Sequence, residues 1–274
     1  MKSVVLVIAV VVALLVLTML GLYFWLERSF RPKPSTRAFW NLSNIPLAKR
    51  LEGYLYITRP DIYLKPATWD WVHKYLVKNE TGETYHGKIM TRKDAYKIVS
   101  LNTPVEITDL DQVIPYPVAR SIILQHPLPS LAVMDCPCRA QKKDACEPRD
   151  VCMAVGEPFV SFVLEHHPHT SRRLTVDEAL SIIKAEEERG HIHTAWFKDA
   201  VHDRFYVICN CCSCCCLGMA SYNRGVDRIV HSGYKPVIDP DDCTACGICE
   251  VICPFGAIQM GDEHSLVDLD KCMG

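Results

Sequence analysis

The residues Cys243-Thr-Ala-Cys246-Gly-Ile-Cys249-Glu-Val-Ile-Cys253-Pro254 decide the architecture of the C-terminal part of this chain. The spacing is C-x2-C-x2-C-x3-C-P, which is typical of a loop that wraps an iron–sulfur cluster. Gly247 and Ala245 carry little or no side chain, so backbone N–H groups can approach the cluster sulfurs. Pro254 prevents a helix from continuing. A zinc knuckle is the alternative, but zinc sites usually use pairs of cysteines separated by a long gap.

Cysteine content is the outlying feature of the composition, with 15 cysteines in 274 residues. The length allows one or two globular domains, and 49% hydrophobic residues support a packed core. A net charge of −2, a pI near 6.6 and the lack of a Lys/Arg-rich stripe argue against a nucleic-acid partner. Because the cysteines have the spacing of metal ligands, we expect a reducing, cytoplasmic and anaerobic setting.

The N-terminal run from Val4 to Leu26 is apolar on every face. As a helix it would be roughly 34 Å long, enough to span a bilayer core. Aromatic residues at its end favour the membrane interface. Basic residues follow and place the rest of the chain in the cytoplasm: Arg28, Arg31, Lys33 and Arg37. We predict a single transmembrane anchor over residues 1–27 and a stiff linker over 28–38, with a cleaved signal peptide or a core helix as alternatives.

Residues 39–233 have the mixed pattern of an α+β domain rich in cysteine. A strand is predicted over Leu51–Tyr63, and helices over Thr68–Val77 and Val118–Gln125. A further short strand is predicted at 105–107 and a loop at 79–82. Two helix starts have capping-box patterns, at Thr91 and at Thr175, and the second helix should end at Gly190.

The first cysteine group of this domain follows the apolar residues Leu131–Met134, which predict a buried strand. The spacing is C-x-C-x7-C-x5-C, and the cysteines are Cys136, Cys138, Cys146 and Cys152. Four thiolates within this short stretch can fill the corners of one [4Fe–4S] cluster or bind one tetrahedral zinc ion. Arg139 would offset their negative charge.

The second group packs six cysteines into eight residues: Cys209, Cys211, Cys212, Cys214, Cys215 and Cys216. On an extended backbone, alternation would put Cys209, Cys211 and Cys215 on one side and the other three on the opposite side. The segment is therefore predicted to be shared by two metal centres. Two cubanes need eight of the ten upstream thiols, which leaves up to two spare. Redox-inactive zinc and a vicinal-thiol switch remain alternatives.

Histidines are weaker candidates, because none has a carboxylate or thiol at a fixed local spacing. His191 and His193 are the best-placed functional pair, since they follow a predicted helix end and lead toward the second cysteine group.

The C-terminal segment from Asp239 to Gly274 resembles the two-cluster bacterial ferredoxins. A hairpin about Gly261-Asp262 follows the cysteine run, and Cys272 looks like the opening of a second run. The resemblance implies a ferredoxin-like βαβ domain over residues 234–274, with its first strand at Val237–Asp239.

In that family the fourth cysteine of each run binds the other cluster. The resemblance therefore implies that Cys243, Cys246 and Cys249 hold one cluster, and that Cys253 and Cys272 hold corners of a second. The fourth ligand of the first cluster would lie beyond residue 274, so we expect the sequence to be a piece of a longer protein. With a natural terminus at Gly274, the first cluster would recruit Cys253 or stay incomplete.

The wider pattern over about residues 50–274 is similar to uncharacterised ferredoxin-domain proteins of anaerobic bacteria. It consists of CPCR, a helix followed by Gly190-His-Ile-His193, and ICNCCxCCC. This resemblance implies iron–sulfur electron transfer without naming a substrate.

Together these features predict an α+β protein with a transmembrane anchor, a mixed cysteine-rich domain and a ferredoxin-type tail. Its expected function is the passage of single electrons through [4Fe–4S] clusters on the cytoplasmic side of a membrane. The expected partners are the lipid bilayer and redox proteins, namely a ferredoxin, a membrane oxidoreductase or a quinone-linked complex. An iron–sulfur reductase that uses His191 or His193, and a zinc-stabilised scaffold, are the two rival functions.

Overall fold

The computed structural model describes residues 2–28, 31–41, 46–69, 72, 85–100, 130–201, 204–226 and 228–274. Its first element is helix α1, Lys2–Glu27. The segment Val10–Glu27 is the one stretch of the described residues that is long and apolar enough to cross a membrane. Its leucines and valines are about half exposed, for example Leu17 at 64%. A signal sequence meets the same criteria of length and composition.

A second helix, α2 (Pro34–Asn41), begins inside the segment predicted as a linker. The prediction is wrong from Pro34 onward, because proline is compatible with the first turn of a helix. Phe39 is fully buried and its ring meets that of Phe162 edge-on, with centroids 5.6 Å apart. The chain after α1 is thus docked on the domain.

The strand predicted over Leu51–Tyr63 is also wrong. Helices α3 (Leu47–Thr58) and α4 (Pro60–Leu64) occupy this region, followed by a 3-10 turn over Lys65–Thr68. Tyr54 and Ile57 are both buried, and their separation of three residues places them on one helical face. The predictions for 79–82, 105–107 and 118–125, and for most of Thr68–Val77, lie outside the described residues.

Among the described residues, seven strands form one sheet in the order β4-β2-β3-β6-β5-β1-β7. Neighbours are antiparallel, except β1 and β7, which are parallel. The strands are β1 Tyr85–Met90, β2 Leu131–Asp135, β3 Asp150–Val155, β4 Ser171–Arg173, β5 Ile192–Lys198, β6 Arg204–Cys211 and β7 Ile229–Val230. The buried strand predicted at Leu131–Met134 is confirmed by β2.

Helices cover both faces of this sheet. One face is packed by α5 (Arg92–Val99) and α8 (Val176–Glu188), the other by α3 and α7 (Phe159–His166). Both predicted N-termini are confirmed. The Thr91 side chain accepts the Asp94 N–H, and Thr175 forms a complete capping box with Glu178. Short helices α6 (Pro137–Ala140) and α9 (Leu217–Asn223) follow β2 and β6.

The C-terminal segment consists of helix α10 (Ile248–Ile252) and a hairpin of β8 (Ile258–Met260) with β9 (Ser265–Val267). The helix ends before Pro254 and the hairpin turns about Gly261-Asp262, both as predicted. The strand predicted at Val237–Asp239 is wrong, since these residues have no regular structure and Val237 is 90% exposed. The α+β class is confirmed, whereas the complete βαβ unit is not formed in the described residues.

Candidate metal centres

Six cysteines converge on the face of the sheet that is covered by α3 and α7. Cys152 lies on β3, and Cys209 and Cys211 lie on β6. Antiparallel pairing of β3 with β6 brings the Cys152 and Cys209 sulfurs to 3.9 Å. The other three stand at helix starts: Cys136 precedes α6, Cys138 lies within it, and Cys216 precedes α9.

These six thiols form a closed ring, which we call the six-thiol ring. Each one interacts with two others, in the circular order Cys136, Cys138, Cys216, Cys211, Cys209, Cys152 and back to Cys136. The Cys211 and Cys216 sulfurs are 3.1 Å apart. A ring built from four separate chain segments cannot be read from the spacing of any one motif.

Protonation is uneven around the ring. Hydrogen bonds from Cys138 and Cys152 lower the pKa of Cys136, and those from Cys138 and Cys211 lower the pKa of Cys216. The pKa of each remaining ring thiol is raised by a neighbouring sulfur and by burial. Thiolates therefore share protons with their neighbours, and a bound metal would replace those protons.

A cavity of about 90 Å³ is bordered by all six ring thiols. This is several times the volume that one water molecule requires. Arg139, which is fully buried, also borders the cavity, and its Nε has no hydrogen-bond partner among the described residues. A buried donor without a partner is costly, and a thiolate or a cluster sulfide would satisfy it. The ring thus has the donors, the space and the counter-charge that an iron–sulfur cluster needs.

Arg139 is held in place by a buried network. Its Nη2 donates to Glu186 Oε2 at 2.8 Å and to the Asn210 carbonyl at 3.2 Å. His191 Nδ1 lies 2.7 Å from the same Glu186 oxygen. Burial opposes ionisation of Glu186, but the hydrogen bonds from His191 and Arg139 lower its pKa. The ion pair is therefore charged on both sides and orients the guanidinium toward the ring.

The ring is also supported from β5. The Thr194 hydroxyl lies 3.3 Å from Cys211 Sγ and accepts a hydrogen bond from Trp196 Nε1 at 2.8 Å. Trp196 is 2% exposed and packs so closely on Gly218 that a Cβ there would lie 2.5 Å from the indole ring. Gly218 is part of α9, which starts directly after Cys216. Strand and helix are thereby locked together beside the ring.

The remaining upstream cysteines form a second cluster, which we call the four-thiol group: Cys146, Cys212, Cys214 and Cys215. Their sulfurs all lie within 4.8 Å of one another. Two predictions about grouping are therefore wrong. Cys146 does not join Cys136, Cys138 and Cys152, because the chain between α6 and β3 loops away from the ring. Alternation grouped Cys215 with Cys209 and Cys211, but Cys215 belongs to the four-thiol group and Cys216 to the ring. The reason is that the backbone turns at 213–215 instead of staying extended. The predicted sharing of this segment between two sites is what the geometry supports.

The C-terminal loop is shaped by two residues with positive φ, Ala245 at 55° and Gly247 at 73°. This curl directs N–H groups at sulfur. Backbone N–H groups of Ser265 and Ala245 lower the pKa of Cys243, and that of Ile248 lowers the pKa of Cys246.

Other donors reach the later cysteines of this segment. The Ala257 N–H donates to Cys253 Sγ at 3.4 Å, and the Gly274 N–H donates to Cys272 Sγ at 3.4 Å. Ser265 Oγ lies 3.0 Å from Cys249 Sγ. Donors of this kind stabilise thiolate ligands and tune a cluster's potential.

The family comparison agrees with this loop geometry. Residues 236–259 match the 4Fe-4S binding domain family. Residues 234–274 contain this match and are hereafter called the ferredoxin tail, which therefore carries the cysteines of a [4Fe–4S] cluster. A ferredoxin-like protein in the vnf region of Azotobacter vinelandii is 46% identical over 35 residues, which are 13% of this chain and 54% of that protein. An uncharacterised ferredoxin of Methanocaldococcus jannaschii is 53% identical over 32 residues, 11% of this chain and 52% of that protein.

This chain spans about half the length of the curated relatives that it matches, and the family match lies within the tail. No solved structure matches the chain. The ligand assignments for the six-thiol ring and the four-thiol group stay predictions that rest on geometry.

The two histidines singled out in the sequence have different surroundings. His191 belongs to the Arg139 network, whereas His193 is buried on the opposite face of the sheet and bonds to Asn210 Oδ1 at 2.6 Å. Burial lowers the pKa of His193. Of these two histidines, His191 is the one that contacts the Arg139 side chain directly.

Sequence reasoning missed three tyrosines at the cavity, Tyr56, Tyr85 and Tyr206. The Tyr56 and Tyr206 hydroxyls are 2.6 Å apart, and Tyr85 lies 3.4 Å from Tyr56. Nothing in the sequence around Tyr56 and Tyr85 distinguishes them from the aromatic residues of a hydrophobic core. Glu186 was also missed, since nothing distinguishes it from the two glutamates that follow it in α8.

Proposed function

We propose that this chain is a membrane-anchored iron–sulfur protein that passes single electrons between the ferredoxin tail and a cluster in the six-thiol ring. When bound, each cluster supplies a site that takes up and releases electrons. A redox partner, such as a ferredoxin, a membrane oxidoreductase or a quinone-linked complex, would exchange electrons at the tail, where Cys246 is exposed.

The observation that carries this proposal is the contact between the tail and the element that leaves the ring. Phe255, two residues after Cys253, meets Tyr222 edge-on with ring centroids 5.4 Å apart. Tyr222 lies on α9, six residues after Cys216. At 1.5 Å per residue, this is about 9 Å along the helix axis. This aromatic contact packs the tail against the helix that begins directly after Cys216.

Contacts between the C-terminal end of α1 and the rest of the domain support the anchor. Glu27 is fully buried, and its carboxylate accepts hydrogen bonds from the Tyr54 hydroxyl at 2.5 Å and from Thr36 Oγ1 at 2.9 Å. The Arg59 guanidinium lies 3.9 Å above the Trp25 ring. A helix joined this firmly to the domain would hold the redox sites near the membrane surface, which is why we favour an anchor over a cleaved signal.

Low-temperature EPR of the anaerobically purified, full-length protein during stepwise reduction tests the electron-transfer proposal. We expect two sets of cubane-type signals. Cys246→Ser should remove the tail signal, and Cys152→Ser should remove the ring signal, each leaving the other in place. Only one set of signals in the wild type, lost with Cys246→Ser, would refute the proposal and leave the scaffold function.

Membrane attachment has a separate test. The full chain should sediment with membranes and resist extraction by high salt, whereas a chain that begins at Arg28 should not. A mature protein that lacks α1 would contradict the anchor.

The tyrosine hydroxyls favour a second candidate, in which the ring reduces a bound disulfide. Burial raises the pKa of Tyr56 to about 12, so its hydroxyl stays protonated at neutral pH and can donate a hydrogen bond to a bound substrate. Two electrons from the tail and two protons would convert one disulfide into two thiols. A ring signal that changes when a disulfide substrate is added would favour this reductase over the carrier.

A further inference from the structure

The four-thiol group has sulfur separations that suit one metal ion. The Cys214 and Cys215 sulfurs are 3.5 Å apart, and those of Cys146 and Cys215 are 3.8 Å apart. A tetrahedral zinc site with Zn–S bonds of about 2.3 Å places neighbouring sulfurs about 3.8 Å from each other. Neighbouring sulfurs of the six-thiol ring are as close as these, but the ring surrounds a cavity of about 90 Å³. The four sulfurs here all lie within 4.8 Å of one another, which leaves room for one ion but not for a cubane, whose thiolates bind separate irons at separate corners.

The chain around this group lacks regular structure. Cys146 lies in the irregular loop between α6 and β3, and the other three lie in the turn between β6 and α9. The two segments meet through the Cys146 backbone N–H, which interacts with Cys215. A metal bound by all four thiols would join this loop to this turn, which is the role of structural zinc sites.

The ten upstream thiols divide between the two groups without remainder, six in the ring and four here. Each thiol interacts with members of its own group, although Cys211 and Cys212, and likewise Cys215 and Cys216, are neighbours in sequence. Cys212 also borders the cavity of the ring. An ion in the four-thiol group would therefore fix the turn that delivers Cys211 and Cys216 to the ring.

We propose that Cys146, Cys212, Cys214 and Cys215 bind one zinc ion in tetrahedral thiolate coordination, separate from any iron–sulfur cluster of this protein. The ion neither takes up nor releases electrons, and its role is to cross-link the loop to the turn beside the ring. This inference does not depend on the direction or the partner of electron transfer.

Metal analysis of the anaerobically purified full chain, with matched variants, tests the proposal. The wild type should hold one zinc per chain together with its iron. Cys146→Ser with Cys214→Ser should lose the zinc and keep the EPR signals of the tail. The ring variant Cys152→Ser should show the reverse pattern, with iron lost and zinc retained. Loss of iron from the Cys146→Ser, Cys214→Ser variant with zinc unchanged would overturn the proposal.

A measurement on the wild type covers the case in which the double variant fails to fold. X-ray absorption at the zinc edge should show four sulfur neighbours at about 2.3 Å. Nitrogen or oxygen neighbours, no stoichiometric zinc, or mononuclear iron in its place would each refute the assignment. An absent ring signal in EPR with zinc present would instead refute the electron-transfer proposal alone, so the two failures can be told apart.

Discussion

Arg139 brings a full positive charge to the six-thiol ring, although it is completely buried. Because a cluster becomes more negative on reduction, a fixed cation beside it stabilises the reduced state. We expect Arg139→Gln to shift the midpoint potential of the ring centre to a more negative value, measured by redox titration with EPR. Arg149→Gln is the control, since Arg149 is 45% exposed and pairs with Glu147 at the surface. Equal shifts in both variants would contradict a local effect.

Loss of Arg139 also removes the buried cation that pairs with Glu186 Oε2, which leaves Arg189, 2.9 Å from Oε1, as the cationic partner of Glu186. Breaking a fully buried pair typically costs about 3–5 kcal/mol of folding free energy, and we expect a smaller loss here because Arg189 is retained. The double variant Arg139→Gln, Glu186→Gln should recover much of that loss in denaturant titrations while keeping the negative shift in potential. Recovery of the potential together with stability would mean that the shift came from unfolding.

His166 makes the protein sensitive to acid. Burial and the Lys33 ammonium lower its pKa to about 3, from an ordinary value near 6.5. The unfolded chain therefore takes up a proton first, so the stabilising contribution is complete above about pH 6.5 and is lost as the pH falls toward 3. In His166→Gln, the free energy of unfolding should differ less between neutral pH and about pH 4.5 than it does in the wild type. The control is His169→Gln, at an exposed position, in which this difference in unfolding free energy should equal that of the wild type. An equally reduced difference in the control would contradict the assignment to His166.

At the level of elements, α9 is held against β5 by the contact between Gly218 and Trp196. A methyl group at this position would overlap a fully packed indole, and overpacking typically costs about 1–3 kcal/mol. Gly218→Ala should therefore lower the midpoint of thermal unfolding and reduce the iron content of the ring, because Cys216 begins the same helix. Gly21→Ala in α1, where nothing lies within 4 Å, is the control and should have neither effect. An unchanged iron content in Gly218→Ala would contradict the idea that the packing of α9 on β5 positions Cys216.

Elements with a local chemical signature could be predicted from the sequence. The capping residues Thr91 and Thr175 and the hairpin about Gly261-Asp262 specify their own conformation within a few residues. Helix α3 could not be predicted, because its tyrosines favour strands locally and are helical only through packing on Phe162 and neighbouring side chains.

The candidate site likewise has one part that could be predicted from the sequence and one that could not. The tail cysteines could be assigned because one short loop carries four of them. The ring could not, because strand pairing and two helix starts bring its members together from distant positions. Alternation misassigned Cys215 and Cys216 because it assumes an extended chain where the backbone turns.

For the whole molecule, the contact between Tyr222 and Phe255 joins the tail to the cysteine-rich domain. Tyr222→Ala should slow electron transfer from a pre-reduced tail to the ring, followed by rapid-freeze EPR, without changing either midpoint potential. Tyr234→Ala, in which a half-exposed tyrosine is removed, is the control and should keep the wild-type rate. An unchanged rate in Tyr222→Ala would show that electrons take another route.

Cys246 is exposed, whereas four of the six ring thiols are buried and the other two are partly buried, and this contrast determines how the protein behaves in air. Oxidation of cysteine follows exposure, so oxygen should damage the tail first and the ring last. An ageing preparation would keep much of its brown colour while losing its response to added reductant. The centre in the six-thiol ring would then be intact but unable to exchange electrons, because the tail through which they pass would be oxidised.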